Sequence, residues 1–245
     1  MVIKVALFSI SHAAGYLGMN VGITVVYPDG ADKNNPPKVL YLLHGLSDDD
    51  TMWLRRSNVE RYNDGRNLCI VMPTGHRSFY TDMKRGLQYF SYLSLYLPKF
   101  IENTFNVATG RENTFAAGLS MGGYGAVKLG LTYPERYSKV ASFSGCFEPD
   151  KHKEIFEFSD VYGDEISSEN NVFTLLENAE AANKPLPKIF QACGNSDFVL
   201  QDNINFAEKA KALNYDIIYE QTPGNHEWEF WDRNIKKTIA WLMED

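Results

Sequence analysis

The chain reads as an α/β protein: a mainly parallel central sheet with helices on both faces. Three observations predict this. Short apolar runs of the kind buried on both faces of a sheet recur along the chain, helical patterns fall between them, and 245 residues, 44% of them hydrophobic, can bury a sizeable core. Residues 2–9 and 19–27 predict two strands joined by a short connection, and the polar stretch 29–37 turns the chain. Lys38-Val-Leu-Tyr-Leu-Leu, Leu68-Cys-Ile-Val-Met, Thr114-Phe-Ala-Ala, Val140-Ala-Ser-Phe-Ser, Lys188-Ile-Phe-Gln-Ala-Cys and Asp216-Ile-Ile-Tyr-Glu predict six more.

The helices are read the same way. Tyr89, Leu93, Tyr96, Leu97, Phe100 and Ile101 share one face, with Pro98 predicting a kink or a fresh start. Met121–Leu131 predicts a helix that ends before Tyr133-Pro134. Ala207–Leu213 belongs to a third, and Trp231, Ile235, Ile239 and Leu242 mark a last, amphipathic one. Residues 147–187 break the alternation. They hold no strand-like run, yet they carry Phe147, Phe156, Phe158, Val161, Tyr162 and Phe173. The expectation is one domain, 1–245, with a packed, cap-like helical or irregular insertion at about 147–187.

Composition excludes several function classes. A net charge of -7 argues against a nucleic-acid partner. No stretch is long and apolar enough to span a membrane, and the N-terminus lacks the pattern of a signal peptide. Cys69, Cys146 and Cys193 are odd in number and widely spaced, which predicts buried reduced thiols and neither a disulfide framework nor a zinc site. These readings together point to a cytoplasmic protein without cofactor or metal. Asp48, Asp49 and Asp50 read as solvated loop acids and an N-cap before Trp53.

Gly118-Leu-Ser120-Met-Gly122 matches G-x-S-x-G. Its context is a buried strand before and a Gly/Ala-rich helix after, the arrangement that holds a nucleophilic serine clear of the sheet in the α/β-hydrolase fold. A serine hydroxyl needs a base. In this fold the order is serine, acid, histidine, and only His152 and His226 follow Ser120. His226 sits between the last strand and the last helix, at the edge of the sheet where ligands gather. His152, between two lysines, reads as solvent-facing. Asp197, in the loop after its strand, is the expected acid; Asp202, near the start of the next helix, is the competitor and reads as an N-cap or first-turn acid. The backbone N–H groups of Leu46 and Met121 are assigned to an oxyanion hole, with His44 bonded to backbone nearby.

Four stretches carry a family resemblance: residues 41–53, Tyr-Leu-Leu-His-Gly-Leu-Ser-Asp-Asp-Asp-Thr-Met-Trp; residues 78–83, Ser-Phe-Tyr-Thr-Asp-Met, with Tyr89 and Leu97-Pro98; residues 118–125, Gly-Leu-Ser-Met-Gly-Gly-Tyr-Gly; and Cys193-Gly-Asn-Ser-Asp-Phe198 with Gly224-Asn-His-Glu-Trp228. In these the chain resembles the esterase D group of α/β-hydrolases, which includes S-formylglutathione hydrolases, and within it the bacterial tributyrin-esterase type. The resemblance implies a serine carboxylesterase that cleaves short-chain acyl esters through an acyl-enzyme, with Ser120, Asp197 and His226 at the triad positions. It also implies a small-molecule ester as partner and a homo-oligomer. Feruloyl or acetyl-carbohydrate ester hydrolysis and S-formylglutathione-type thioester hydrolysis are the alternatives. A non-catalytic binding module is the competing class, and it would not require all three triad residues. Trp53, Phe79, Tyr80, Phe156, Phe158 and Tyr162 are the expected substrate-binding wall.

Overall fold

The computed structural model describes residues 5–182 and 185–244. Eight strands form one sheet: β1 (Val5–Ala14), β2 (Met19–Pro28), β3 (Lys38–Leu43), β4 (Leu68–Pro73), β5 (Thr114–Leu119), β6 (Lys139–Phe143), β7 (Lys188–Gly194) and β8 (Ile217–Thr222). Their spatial order is β1-β2-β4-β3-β5-β6-β7-β8. β1, β2 and β4 pair antiparallel, and every pair from β4–β3 to β7–β8 is parallel. The first hairpin is longer than the sequence predicts, since β1 runs on to Ala14; positions 2–4 of the predicted strand lie outside the described residues.

The apolar runs take these places because parallel strands have both faces covered. β4, β5 and β6 are buried at every position. Side chains alternate between two cores. Tyr41 and Leu43 join the cluster under α5 (Met121–Thr132) and α8 (Leu200–Ala212), with Tyr124, Val127 and Phe206. Leu40 and Leu42 join the opposite cluster under α9 (Trp228–Leu242), with Phe143, Trp231 and Ile235. Two short helices that the sequence leaves unassigned, α1 (Met52–Arg56) and α2 (Val59–Tyr62), close this second face.

Of the two outcomes expected at Pro98, a kink or a fresh start, the chain shows a helix that starts afresh at Leu97. α3 (Tyr89–Ser91) passes through a π-helical turn at Tyr92–Tyr96 into α4 (Leu97–Thr104). Pro98 has no N–H for the Ser94 carbonyl, and the Arg136 guanidinium donates to that carbonyl instead. The insertion after β6 packs as a 3₁₀ segment, Pro149–Ile155, then α6 (Phe158–Val161) and α7 (Val172–Ala181). Asn171 caps α7 by accepting from the N–H groups of Phe173 (3.0 Å) and Thr174 (3.2 Å). Residues 183 and 184 of the predicted insertion lie outside the described residues.

A buried lysine ties this insertion to the rest. Lys128 of α5 donates to Asn170 Oδ1 (2.5 Å) and Tyr80 O (3.4 Å) and lies 4.0 Å from the centre of the Phe90 ring. β3 lies between β4 and β5, so the chain reverses its direction of travel across the sheet there. The loops that leave β3 and β5 therefore flank a crevice at the carboxyl edge.

Candidate active site

Ser120 stands in that crevice, on the turn between β5 and α5. Its backbone is left-handed, with φ 53 and ψ -117. Such a conformation persists only where the surroundings enforce it. Ser120 N donates to Phe143 O (2.8 Å), and Ser120 O accepts from Tyr124 N (3.1 Å) and Cys146 N (3.3 Å). The two motif glycines are required by close backbone approach. A Cβ at Gly122 would lie 2.5 Å from Leu43 O and 2.6 Å from His44 O, and one at Gly118 would strike the Gly122 carbonyl.

The three expected residues meet. His226 Nε2 lies 2.9 Å from Ser120 Oγ, and its Nδ1 lies 2.9 and 3.2 Å from the two carboxylate oxygens of Asp197. Asp197 follows β7 and accepts from Val199 N (3.1 Å). Burial works against its charge. The hydrogen bond and charge of the His226 ring, the Ser144 hydroxyl and the Val199 N–H together hold its carboxyl below the usual range. The imidazole itself sits between Phe198, 4.5 Å away centre to centre, and Trp231, 5.0 Å away and nearly perpendicular.

His44 bonds to backbone, as expected. Nδ1 is 2.7 Å from Gly45 O, and Nε2 accepts from Gly75 N at 2.8 Å. This pattern requires the neutral ring, and burial pushes its pKa down to about 4. His44 is thereby a fixed strut for the Gly45-Leu46 turn, on which a Cβ at Gly45 would lie 2.6 Å from Leu119 Cδ1. Met121 opens α5, where the first N–H groups have no intrahelical acceptor. Of the neighbouring acids, Asp49 accepts from Thr51 N at 2.8 Å. Asp50 takes the hydroxyls of Thr24 (2.7 Å) and Thr74 (2.8 Å), so it is a structural tie more than a solvated acid.

A cleft of about 690 Å³ opens over Ser120 and His226. The expected aromatic wall needs correction. Phe79 lines the cleft, but Trp53, Tyr80, Phe156, Phe158 and Tyr162 do not. Trp53 is core: its Nε1 donates to Leu43 O (3.0 Å) and its ring packs on Phe143 and Trp228. Tyr80 donates to His44 O (3.1 Å) from beneath. Phe156 backs Phe79 at 4.2 Å, with Phe158 and Tyr162 behind it. They form a second layer, packed on Phe79 and on one another behind the cleft lining. The wall residues that sequence reasoning missed are Phe198, Trp228, Trp231, Leu119 and Ile155. Phe198 lies next to Asp197 and Trp228 two residues from His226, which is the signal that could have found them.

Two further residues differ from their sequence reading. His152 does not face solvent; its Nε2 is 3.1 and 3.3 Å from the carboxylate oxygens of Asp202, which raises its pKa. Asp202, buried in the first turn of α8, serves that histidine and not His226. In the sequence Ser144 stands only as the end of a strand. It is left-handed (φ 51) and fully buried, its Oγ accepts from Trp231 Nε1 (3.1 Å), and its hydroxyl stabilises the charged Asp197.

A serine on a left-handed elbow between strand and helix, bonded to a His–Asp pair at the carboxyl edge of a mainly parallel sheet, defines a serine hydrolase of the α/β-hydrolase fold. The sequence matches the family described as "Putative esterase" over residues 14–242, and the chain belongs to that esterase family. It is a carboxylic ester hydrolase of the serine type. It is 28% identical over 262 aligned positions to an acetyl esterase of Caldicellulosiruptor saccharolyticus, with 98% of each chain covered. Two solved Staphylococcus aureus proteins superpose closely. A fluorophosphonate-binding serine hydrolase has a TM-score of 0.92 at 32% identity, covering 99% of this chain and 100% of its own. An S-formylglutathione hydrolase has a TM-score of 0.91 at 31% identity, covering 98% and 100%. Among the described residues, no helix is long and apolar enough to cross a membrane.

Proposed function

We propose that Ser120, His226 and Asp197 are the catalytic triad and that the substrates are short-chain acyl esters. The continuous 2.9 Å contacts from Ser120 Oγ to His226 Nε2 and from His226 Nδ1 to Asp197 carry this reading. His226 takes the serine proton as Oγ attacks the acyl carbon. Asp197 fixes the tautomer and stabilises the imidazolium. The N–H groups of Leu46 and Met121 receive the oxyanion, a donor each worth about 3 kcal/mol in the transition state. His226 then protonates the leaving alcohol, and water, activated by the same nitrogen, releases the acid.

Three features support small acyl groups. Buried Phe79 and Leu119 line the cleft beside Ser120, Phe156 wedges Phe79 in place, and a full-length relative is an acetyl esterase. Residues 147–187 act as a cap in this reading: Ile155 lines the cleft, and Glu157 holds Arg77 at 2.8 Å across its rim. A second reading, a thioester of S-formylglutathione type, draws on the Arg56 and Arg77 guanidinium groups that line the cleft and on the 31%-identical structure. Three free, buried thiols fit a reducing, cytoplasmic compartment.

One substrate panel tests the proposal: nitrophenyl esters of rising chain length, methyl ferulate, acetylated xylan and S-formylglutathione. The expected outcome is fastest turnover of the shortest acyl esters. A preference for long chains overturns the short-chain assignment, and dominant turnover of one of the other three substrates transfers it to that class.

A further inference from the structure

The buried group that the triad leaves unused lies on its flank. Cys146 is 2% exposed and Asp202 is 2% exposed, and His152 bridges toward Asp202 from the insertion. One donor atom from each, a sulfur, a ring nitrogen and a carboxylate oxygen, lies within 4.8 Å of the others. Asp202 Oδ2 is further oriented by Glu148 N, which donates to it at 3.1 Å. Sulfur, nitrogen and oxygen donors in one cluster suit a borderline ion such as zinc, which takes ligands at about 2.0–2.3 Å in tetrahedral geometry. Donors so placed need to close by only about 1 Å to reach that geometry.

The surroundings favour positive charge. Asp150, Asp197 and Glu148 act on Cys146 electrostatically alongside Asp202, and that acidic field attracts a cation. The place also matters. Cys146 lines the cleft with Ser120, and its N–H holds the Ser120 carbonyl at 3.3 Å.

We propose that Cys146, His152 and Asp202 bind a zinc-class divalent cation, and that the bound ion slows hydrolysis at Ser120. The second half rests on the triad assignment above; the binding itself does not. Binding converts the thiol to a thiolate and releases its proton to solvent, the neutral imidazole and the carboxylate supply the other two ligands, and the fourth position is left to water. Inhibition follows from charge and position. A dication at Cys146 competes with His226 for the carboxylate of Asp197, and it draws on the residue that anchors the Ser120 turn.

The experiment uses the full chain washed with chelator. Equilibrium dialysis against zinc gives stoichiometry, and cobalt in place of zinc reports the thiolate through a near-ultraviolet sulfur-to-metal charge-transfer band. The expected result is one ion per chain, a cobalt band, and affinity reduced roughly tenfold or more in Cys146→Ser and in His152→Gln. Cys69→Ser and Ser120→Ala retain the ion. Thermal unfolding of each metal-free variant confirms that it is folded. Hydrolysis is compared with each protein's own metal-free rate, and zinc lowers it in the wild type but not in His152→Gln. Cobalt binding without the band, or equal affinity in wild type and both ligand variants, overturns the site. Full occupancy without loss of turnover overturns the inhibition. Full turnover by Ser120→Ala instead breaks the triad assignment and leaves the zinc stoichiometry standing.

Discussion

Two His–Asp pairs flank the same phenylalanine. On one side of Phe198, Asp197 orients His226; on the other, Asp202 holds His152. The acids are five residues apart around the start of α8, and both are buried. Only His226 reaches a hydroxyl on a left-handed turn. The pairing is common to both; what sets His226 apart is delivery of its second ring nitrogen to Ser120 Oγ at 2.9 Å. A histidine beside an acid is therefore a modest clue, and a histidine bridging an acid and an elbow serine is a strong one.

Substitutions break this comparison at different strengths. Ser120→Ala should lower kcat by about 10⁶-fold with the fold retained, measured by nitrophenyl acetate turnover and thermal unfolding. Asp197→Asn should lower kcat by roughly 10⁴-fold, because the imidazole loses its tautomer control. Asp202→Asn, assayed without metal, should cost less than about tenfold. The reverse order would make the His152 pair the catalytic one. Ser144 gives a finer test. Ser144→Gly accommodates the left-handed backbone without strain and removes the hydroxymethyl group, with an expected loss near tenfold in kcat, little change in KM and a shifted acid limb of the pH–rate profile. An unchanged pH profile would reduce Ser144 to packing.

The last test concerns stability and lies outside both pairs. Burial pushes Lys128 down to about 7, whereas in the unfolded chain it titrates near 10.4. Between these values the unfolded state holds more protons, so stability rises with pH, by at most about 1.4 kcal/mol per unit. Lys128→Met removes that slope. The difference in Tm between Lys128→Met and wild type should therefore be most favourable to the variant below pH 7 and shrink toward pH 10. Parallel Tm curves would show that Lys128 does not titrate in this window.

What could be read from the sequence divides along physical lines. Fully buried strands announce themselves, because both faces demand apolar side chains; β3 to β6 were all legible for that reason. The meeting of Ser120, Asp197 and His226 was legible because chain order and loop position constrain the three. The cleft wall was not. Composition distinguishes aromatic from polar, but it cannot tell Phe79, at the surface of the cleft, from Phe156 one ring behind it. The sequence hides the role of His152, because its lysine neighbours suggest solvent while its partner Asp202 lies fifty residues away. Ser144 was invisible because nothing local distinguishes a left-handed serine from the end of a strand.

The backbone of Ser120 carries a further consequence. A left-handed conformation is strained for a residue with a Cβ and unstrained for glycine, so glycine at this position would relieve roughly 1–3 kcal/mol of backbone strain, offset in part by about 0.5–1 kcal/mol of extra chain entropy lost on folding. In the proposed mechanism the nucleophile's position is thus held by a residue the fold would not choose. Catalysis here is kept against a steady thermodynamic pull, and a lineage released from the need to hydrolyse esters would drift toward a firmer, silent elbow.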